Sequence, residues 1–132
     1  MTVSTNPYAV VVDDDVLILM HISDILADAG FQTLEASNGD DAKALIDEKG
    51  NGIALLFTDV QMPGSLDGFA LARHVADHWP EIEIVVASGL LKPQAGDMPA
   101  RGTFISKPFS AEVVRDHLRR TLPAEKRPHP LA

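Results

Sequence analysis

Short apolar runs alternate five times with amphipathic stretches along this chain, which predicts an α/β fold: a doubly wound, five-stranded parallel sheet with helices on both faces. Two further observations support it. The runs at 53–58 (IALLFT) and 82–87 (IEIVVA) are near-continuous rather than alternating, as in strands buried on both faces. The stretches between runs carry apolar residues at helical spacing and end in turn residues.

Taken in order, Tyr8–Val12 reads as the first strand. Val16–Ala29 reads as a helix, with Leu19, Ile22 and Leu26 on one face and Gly30 as its stop. Phe31–Ala36 is the second strand, and the turn Ser37-Asn38-Gly39-Asp40 leads into a helix reaching about Lys49. After the turn at Asn51-Gly52 comes the third strand, Ile53–Thr58. A helix over Leu66–His78 ends at Trp79-Pro80, and Ile82–Ala87 is the fourth strand. Gly102–Ile105 is a short fifth strand, and Ser110 caps a last helix running to about Leu122. The link between the fourth and fifth strands holds Pro93, Gly96 and Pro99. Proline inside a helix costs about 3 kcal/mol, so the fourth helix is expected to be short or missing. The expected organisation is an N-terminal extension at 1–7, one domain at 8–122 and a frayed, flexible Pro-rich tail at 123–132.

The chain has 132 residues, enough for one domain with one core, and its 45% hydrophobic content suits a globular protein. No apolar run reaches the roughly 18 residues of a membrane span. The first residues lack a basic start and an apolar signal core, so a cytoplasmic location is expected. The absence of cysteine excludes disulfides, thiolate catalysis and cysteine zinc sites. The net charge of −8 argues against nucleic acid as a partner. Arg115, Arg119, Arg120, Lys126 and Arg127 form the one basic cluster, and it mostly lies where positive charge complements the end of the last helix.

Chemistry gathers at the carboxyl ends of the strands, where parallel α/β sheets bind ligands. The first strand ends in Asp13-Asp14-Asp15, the third in Thr58-Asp59, the fourth in Ala87-Ser88-Gly89 and the fifth in Ser106-Lys107-Pro108. Hard oxygen ligands suit Mg²⁺, and a carboxylate beside that metal can attack a phosphoryl group. A hydroxyl and an ammonium can then hold the transferred oxygens. Each part has a plainer reading. The acidic run could be a solvated turn with a helix cap, Asp59 a cap, Ser88 part of a turn, and Lys107 a surface lysine before a helix. Chance does not readily explain all four at four strand ends in this order. The histidines form no ligand set: His74 and His78 are read as partly exposed helix residues, His21 as surface, His117 as packing on the last helix and His129 as tail. Trp79 is read as packing over a helix end.

The segments VVVDDD (10–15), LLFTDVQMPG with LDG (55–64 and 66–68), VVASG (85–89) and FISKPF (104–109) resemble the receiver domains of bacterial two-component response regulators. The likeness covers about residues 8 to 122. It implies a flavodoxin-like sheet of order 2-1-3-4-5. Asp59 would be the phosphoacceptor, and Asp13, Asp14, Asp59 and the main-chain carbonyl of Gln61 would hold Mg²⁺, with Mn²⁺ as a substitute. Lys107 would pair with Asp59 or its phosphoryl group. Ser88 and Phe104 would occupy the switch positions, and the peptide before Pro108 would be cis. The implied donor is a sensor histidine kinase or a histidine phosphotransfer protein, and the implied output is binding of an unknown downstream protein rather than enzyme turnover.

Three departures from the family pattern stand out. The loop after Asp59 is one residue longer than usual, and the link after the fourth strand lacks the room for a regular helix that commonly mediates dimerisation, which leaves monomer and weak dimer both open. ASGLL (87–91) loosely resembles an atypical subgroup with A-T-G motifs. Gln61 and Leu90 stand at positions that tune dephosphorylation in the family. The ten or so residues after 122 are too few for an output module, so a stand-alone receiver is expected. The alternatives are a receiver portion of a hybrid kinase and a binding module that works without phosphorylation. A phosphohydrolase of the haloacid-dehalogenase type fits Asp13 and Asp15 but fails at Leu17, and the chain has no room for a substrate cap.

Overall fold

A computed structural model describes residues 7–89, 92–128 and 131. The expectations for residues 1–6, Leu90 and His129 lie outside the described residues. The strands are β1 (Tyr8–Val12), β2 (Gln32–Ala36), β3 (Ile53–Asp59), β4 (Glu83–Ser88) and β5 (Thr103–Ser106). The helices are α1 (Val16–Asp28), α2 (Gly39–Lys49), α3 (Gly68–His78) and α4 (Ala111–Thr121). All four strand pairings are parallel, and the order is β2-β1-β3-β4-β5, as the doubly wound reading requires.

Two apolar layers flank the sheet. On one face, Leu19, Ile22 and Leu26 of α1 and Val114 and Leu118 of α4 pack on Val11, Leu55, Phe57 and Val85. On the other, Ala42 and Ile46 of α2 and Leu71, Ala72 and Val75 of α3 pack on Val10, Leu56, Ile84 and Val86. Residues of opposite parity in β1, in β4 and in β3 from Leu55 onward face opposite layers, and the central strands β1, β3 and β4 are largely apolar because both of their faces are buried, whereas edge strand β2 keeps exposed Gln32 and Glu35.

Side chains set the helix starts. Asp15 accepts from Leu17 N and Ile18 N, Asn38 from Asp41 N, and Ser110 from Val113 N. The third helix begins at Gly68, later than the expected Leu66, because Asp67 takes the cap and accepts from Ala70 N. Among the described residues between β4 and β5 there is no helix. That link is held instead by Arg73 Nη1 donating to Asp97 O at 2.8 Å and Gln94 N donating to Asp97 Oδ2 at 2.8 Å.

The tail departs from expectation. Leu131 is fully buried in the α1/α4 layer, Arg119 Nε donates to its carbonyl at 3.0 Å, and Ala124–Lys126 forms a 3-10 turn. Burial of this one apolar side chain is a contact that a reading of composition as frayed does not foresee.

Candidate functional site

The strand register assembles the site. Val12 lies opposite Thr58, so Asp13 and Asp59 leave the sheet side by side. Asp59 is paired with Ala87, one residue before Ser88, and Ser88 is paired with Ser106, one residue before Lys107. Four chain segments thus deliver their polar residues to one cavity of about 360 Å³, which Asp13, Asp14, Asp59, Gln61, Ser88 and Lys107 all line.

At the centre, Lys107 Nζ donates to Asp13 Oδ2 and to Asp59 Oδ1, each at 3.0 Å. Asp13 is 1% exposed, and its second oxygen accepts from Asp15 N at 2.9 Å. Both carboxylate oxygens of this buried group are therefore satisfied, which a buried charge demands. Burial raises the Asp59 carboxyl above the ordinary 3.8; Lys107 pulls it down, and the neighbouring Asp13 charge adds to the rise. Burial also opposes the charge on Lys107, but its hydrogen bonds to Asp59 and Asp13 outweigh that and raise its pKa above 10.5. One ammonium between two carboxylates leaves the cluster short of positive charge.

Asp13, Asp14 and Asp59 each offer an oxygen within 4.8 Å of the others. Asp14 is exposed, so the group opens to solvent on one side. An all-oxygen donor set with an open side fits a hard divalent cation that keeps some of its water. Asp15, the third of the acidic run, also borders the cavity, but its Oδ1 caps α1, so both the site and the plainer cap reading apply to that run.

Ser88 is 5% exposed, and its carbonyl accepts from Lys107 N at 3.0 Å, which binds the ends of β4 and β5. Phe104 is half-buried against the α2/α3 layer, with Lys92 Nζ 5.5 Å from its ring centre. Lys92 Nζ also donates to Ser106 Oγ at 2.6 Å. The Lys107-Pro108 peptide is cis.

Two residues that matter here were read only as parts of a motif or a turn. A Cβ on Gly68 would lie 1.8 Å from the Asp59 carbonyl oxygen, so only glycine lets α3 start against the acceptor's backbone. Asp40 reaches across to Ser65 in the loop after Asp59, accepting from Ser65 N at 3.1 Å and Ser65 Oγ at 2.7 Å. Glycine in L-D-G signals the first; nothing local signals a contact between residues 25 positions apart. The histidines stay apart from the cavity's polar cluster. His78 Nδ1 lies 2.8 Å from His74 O, and His117 Nε2 lies 2.7 Å from Thr103 Oγ1.

The family model described as "Response regulator receiver domain" matches residues 9–119. The chain belongs to that family. It is 31% identical over 116 residues to the chemotaxis protein CheY of Bacillus subtilis (strain 168), covering 85% of this chain and 94% of that protein. It is 27% identical over 122 residues to the sensor kinase CckA of Brucella abortus (strain 2308), covering 90% of this chain but only 13% of that protein. A response regulator receiver protein from Sinorhizobium medicae WSM419 superposes with a TM-score of 0.82 at 25% identity, over 90% of this chain and 96% of that one. Receiver domains are phosphoacceptors of two-component signalling that work with histidine kinases or phosphotransfer proteins, and the acidic cavity suits the divalent cation such a role uses.

Proposed function

We propose that this chain is a stand-alone receiver that takes a phosphoryl group onto Asp59 from the phosphohistidine of a sensor histidine kinase or histidine phosphotransfer protein. The observation that carries the reading is Lys107 Nζ, 3.0 Å from both Asp13 Oδ2 and Asp59 Oδ1 inside the acidic cavity. Asp13, Asp14, Asp59 and the Gln61 carbonyl would hold Mg²⁺, or Mn²⁺ in its place. When bound, the cation offsets the repulsion between a carboxylate and an incoming phosphoryl group.

Lys107 engages Asp59 Oδ1, which leaves Oδ2 as the nucleophile. Oδ2 attacks phosphorus in line with the P–N bond; the P–O bond forms as P–N breaks, and the leaving imidazole takes a proton from solvent. Lys107 is then placed to donate to a phosphoryl oxygen, and the Ser88 hydroxyl to another. Movement of Ser88 toward that oxygen vacates space between β4 and β5, and Phe104 turns into it. The new charge, about −1.5 to −2 if it behaves like other phosphorylated side chains, biases a two-state surface that a downstream protein reads.

The donor's docking surface is the start of α1, where Val16, Leu17 and Met20 are 64%, 77% and 54% exposed at the rim of the site. Next to them lies an apolar cavity of about 470 Å³ among Ile18, His21, Pro108 and Phe109. Such exposed apolar residues suit a helix that carries the phosphohistidine. With a histidine kinase as donor, the protein would work in the cytoplasm. Among the described residues, no helix is long and apolar enough to cross a membrane. The CheY likeness favours the stand-alone form; the CckA likeness favours the second reading, the same acceptor carried within a hybrid kinase.

The test is intact mass after incubation with acetyl phosphate and Mg²⁺. The native chain gains one phosphoryl group, and Asp59→Asn or added chelator abolishes the gain. A chain that binds Mg²⁺ but takes no phosphoryl group from acetyl phosphate or from a panel of phosphorylated histidine kinases would sink the acceptor reading in favour of a phosphorylation-independent binding module.

A further inference from the structure

We infer that Asp40 is a positioning residue for the metal site: with Ser65 it clasps the 61–67 loop and so holds the Gln61 carbonyl where a divalent cation needs it. This rests on the reading above, in which that carbonyl is a metal ligand. The loop is closed at its base, where Gly68 N donates to Val60 O at 2.8 Å. It is fixed at its exit, where Asp67 accepts from Ala70 N at 2.8 Å. Gln61 stands between buried Val60 and partly buried Met62, and Leu66 also packs on the α2/α3 layer, so the core holds both ends of the loop and leaves the exposed tip at 63–65 to be tied from outside.

The tip is tied down by one carboxylate. Asp40 Oδ2 accepts from Ser65 N and Oδ1 from Ser65 Oγ, so a single residue of the loop uses both oxygens. Two glycines make the approach possible. Gly64 has φ +103, a left-handed conformation, and a Cβ there would lie 2.7 Å from Asp40 Oδ2. A Cβ on Gly39 would lie 2.6 Å from Leu66 O, so α2 and the loop touch backbone to side. Asp40 is not needed as a helix cap, because Asn38 already accepts from Asp41 N at 2.8 Å. The Ser65 bonds hold the Asp40 carboxyl below its ordinary value, which keeps both oxygens available as acceptors. The clasp sits in the loop that is one residue longer than the family pattern, and it supplies the anchor such a loop needs.

The experiment is calorimetric titration of the full chain with MgCl₂, alongside thermal melts. Asp40→Ala and Ser65→Ala should each weaken Mg²⁺ binding, by about fivefold to tenfold for Asp40→Ala and less for Ser65→Ala, which keeps one of the two bonds. The double variant should be no weaker than Asp40→Ala alone, because both changes remove one interaction. Asp41→Asn removes a neighbouring charge whose carboxylate bonds Asn38 rather than the loop, and should leave affinity within about twofold. Unchanged affinity in Asp40→Ala and Ser65→Ala would overturn the clasp while leaving the metal site standing. Equal weakening by Asp41→Asn would also overturn it, by reducing the effect to net charge. Failure of the unaltered chain to bind Mg²⁺ would overturn both the parent reading and the clasp.

Discussion

The two ends of the sheet hold cavities of opposite character. At the amino ends of β3 and β4, a cavity of about 500 Å³ opens beside Gly50, Ile53, Trp79 and Ile82. At the carboxyl ends, a smaller one of about 360 Å³ gathers Asp13, Asp14, Asp59 and Lys107. The larger cavity is bordered by structural closures: Trp79 covers Gly50, whose Cβ would lie 2.8 Å from the indole ring, and Lys126 Nζ donates to the Glu81 carbonyl. The smaller one contains a buried Asp13 and a half-buried Asp59, which repel each other and are tied to one ammonium. Volume does not set the two ends apart; desolvated charge in excess of its partners does, and it singles out the carboxyl end as the candidate site.

Substitutions at either end test whether the two cavities differ in role. The largest effect is expected at Gly68→Ala, where a Cβ would collide with the Asp59 carbonyl at 1.8 Å. Urea unfolding should show a loss of about 4 kcal/mol, because backbone must move on both sides of the contact. Next comes Lys107→Ala, expected to cost about 3 kcal/mol at neutral pH by leaving two carboxylates without their cation. Adding Asp59→Asn should restore part of that loss; no restoration would mean that Lys107 acts through its stem packing instead.

At the other end, Trp79→Ala should cost about 2 kcal/mol through lost packing against Gly50 and the α2/α3 layer. Its phosphorylation by acetyl phosphate should match the native rate at a temperature where both are folded. A slowed reaction there would join the two ends that the geometry keeps separate.

The smallest change is a gain. Asp59 has its folded pKa raised, so its contribution to stability is fully present below the unfolded value of 3.8 and is lost as pH rises through the folded value. At neutral pH the ionised carboxylate is a burden, and Asp59→Asn should raise the melting midpoint by about 3 °C. The gain should vanish in acid, where the native carboxyl is protonated. A carbon-detected NMR titration of the native chain should put the Asp59 midpoint above 3.8 without metal, and Mg²⁺ should move it down.

The sheet was legible because strands buried on both faces leave near-continuous apolar runs, and because Gly30, Asn38 and Ser110 punctuate the helices. Asp13, Asp59 and Lys107 were legible because each stands at a strand end, where chain order alone puts it on the ligand edge. What stayed hidden depends on contacts between distant segments. Asp40 looks like an ordinary first-turn acid until the fold brings Ser65 to it. Gly68 looks like one more residue of a motif and a helix until the fold sets the start of α3 against Asp59. Leu131 follows three prolines with no periodicity around it, so composition predicts fraying where the fold has a place in the core.

One charge added at Asp59 should act on the β4–β5 side of the sheet and leave the amino edge alone. The most direct test is a comparison of two-dimensional amide and aromatic NMR spectra of the native chain with Mg²⁺, with and without beryllofluoride as a phosphoryl mimic. Large shifts are predicted at Ser88, Gly89, Phe104 and Lys107, with Gly50–Ile53 and Trp79 unmoved. Shifts confined to the acidic residues, with Ser88 and the Phe104 ring unchanged, would mean that the charge at Asp59 does not reach β4 and β5.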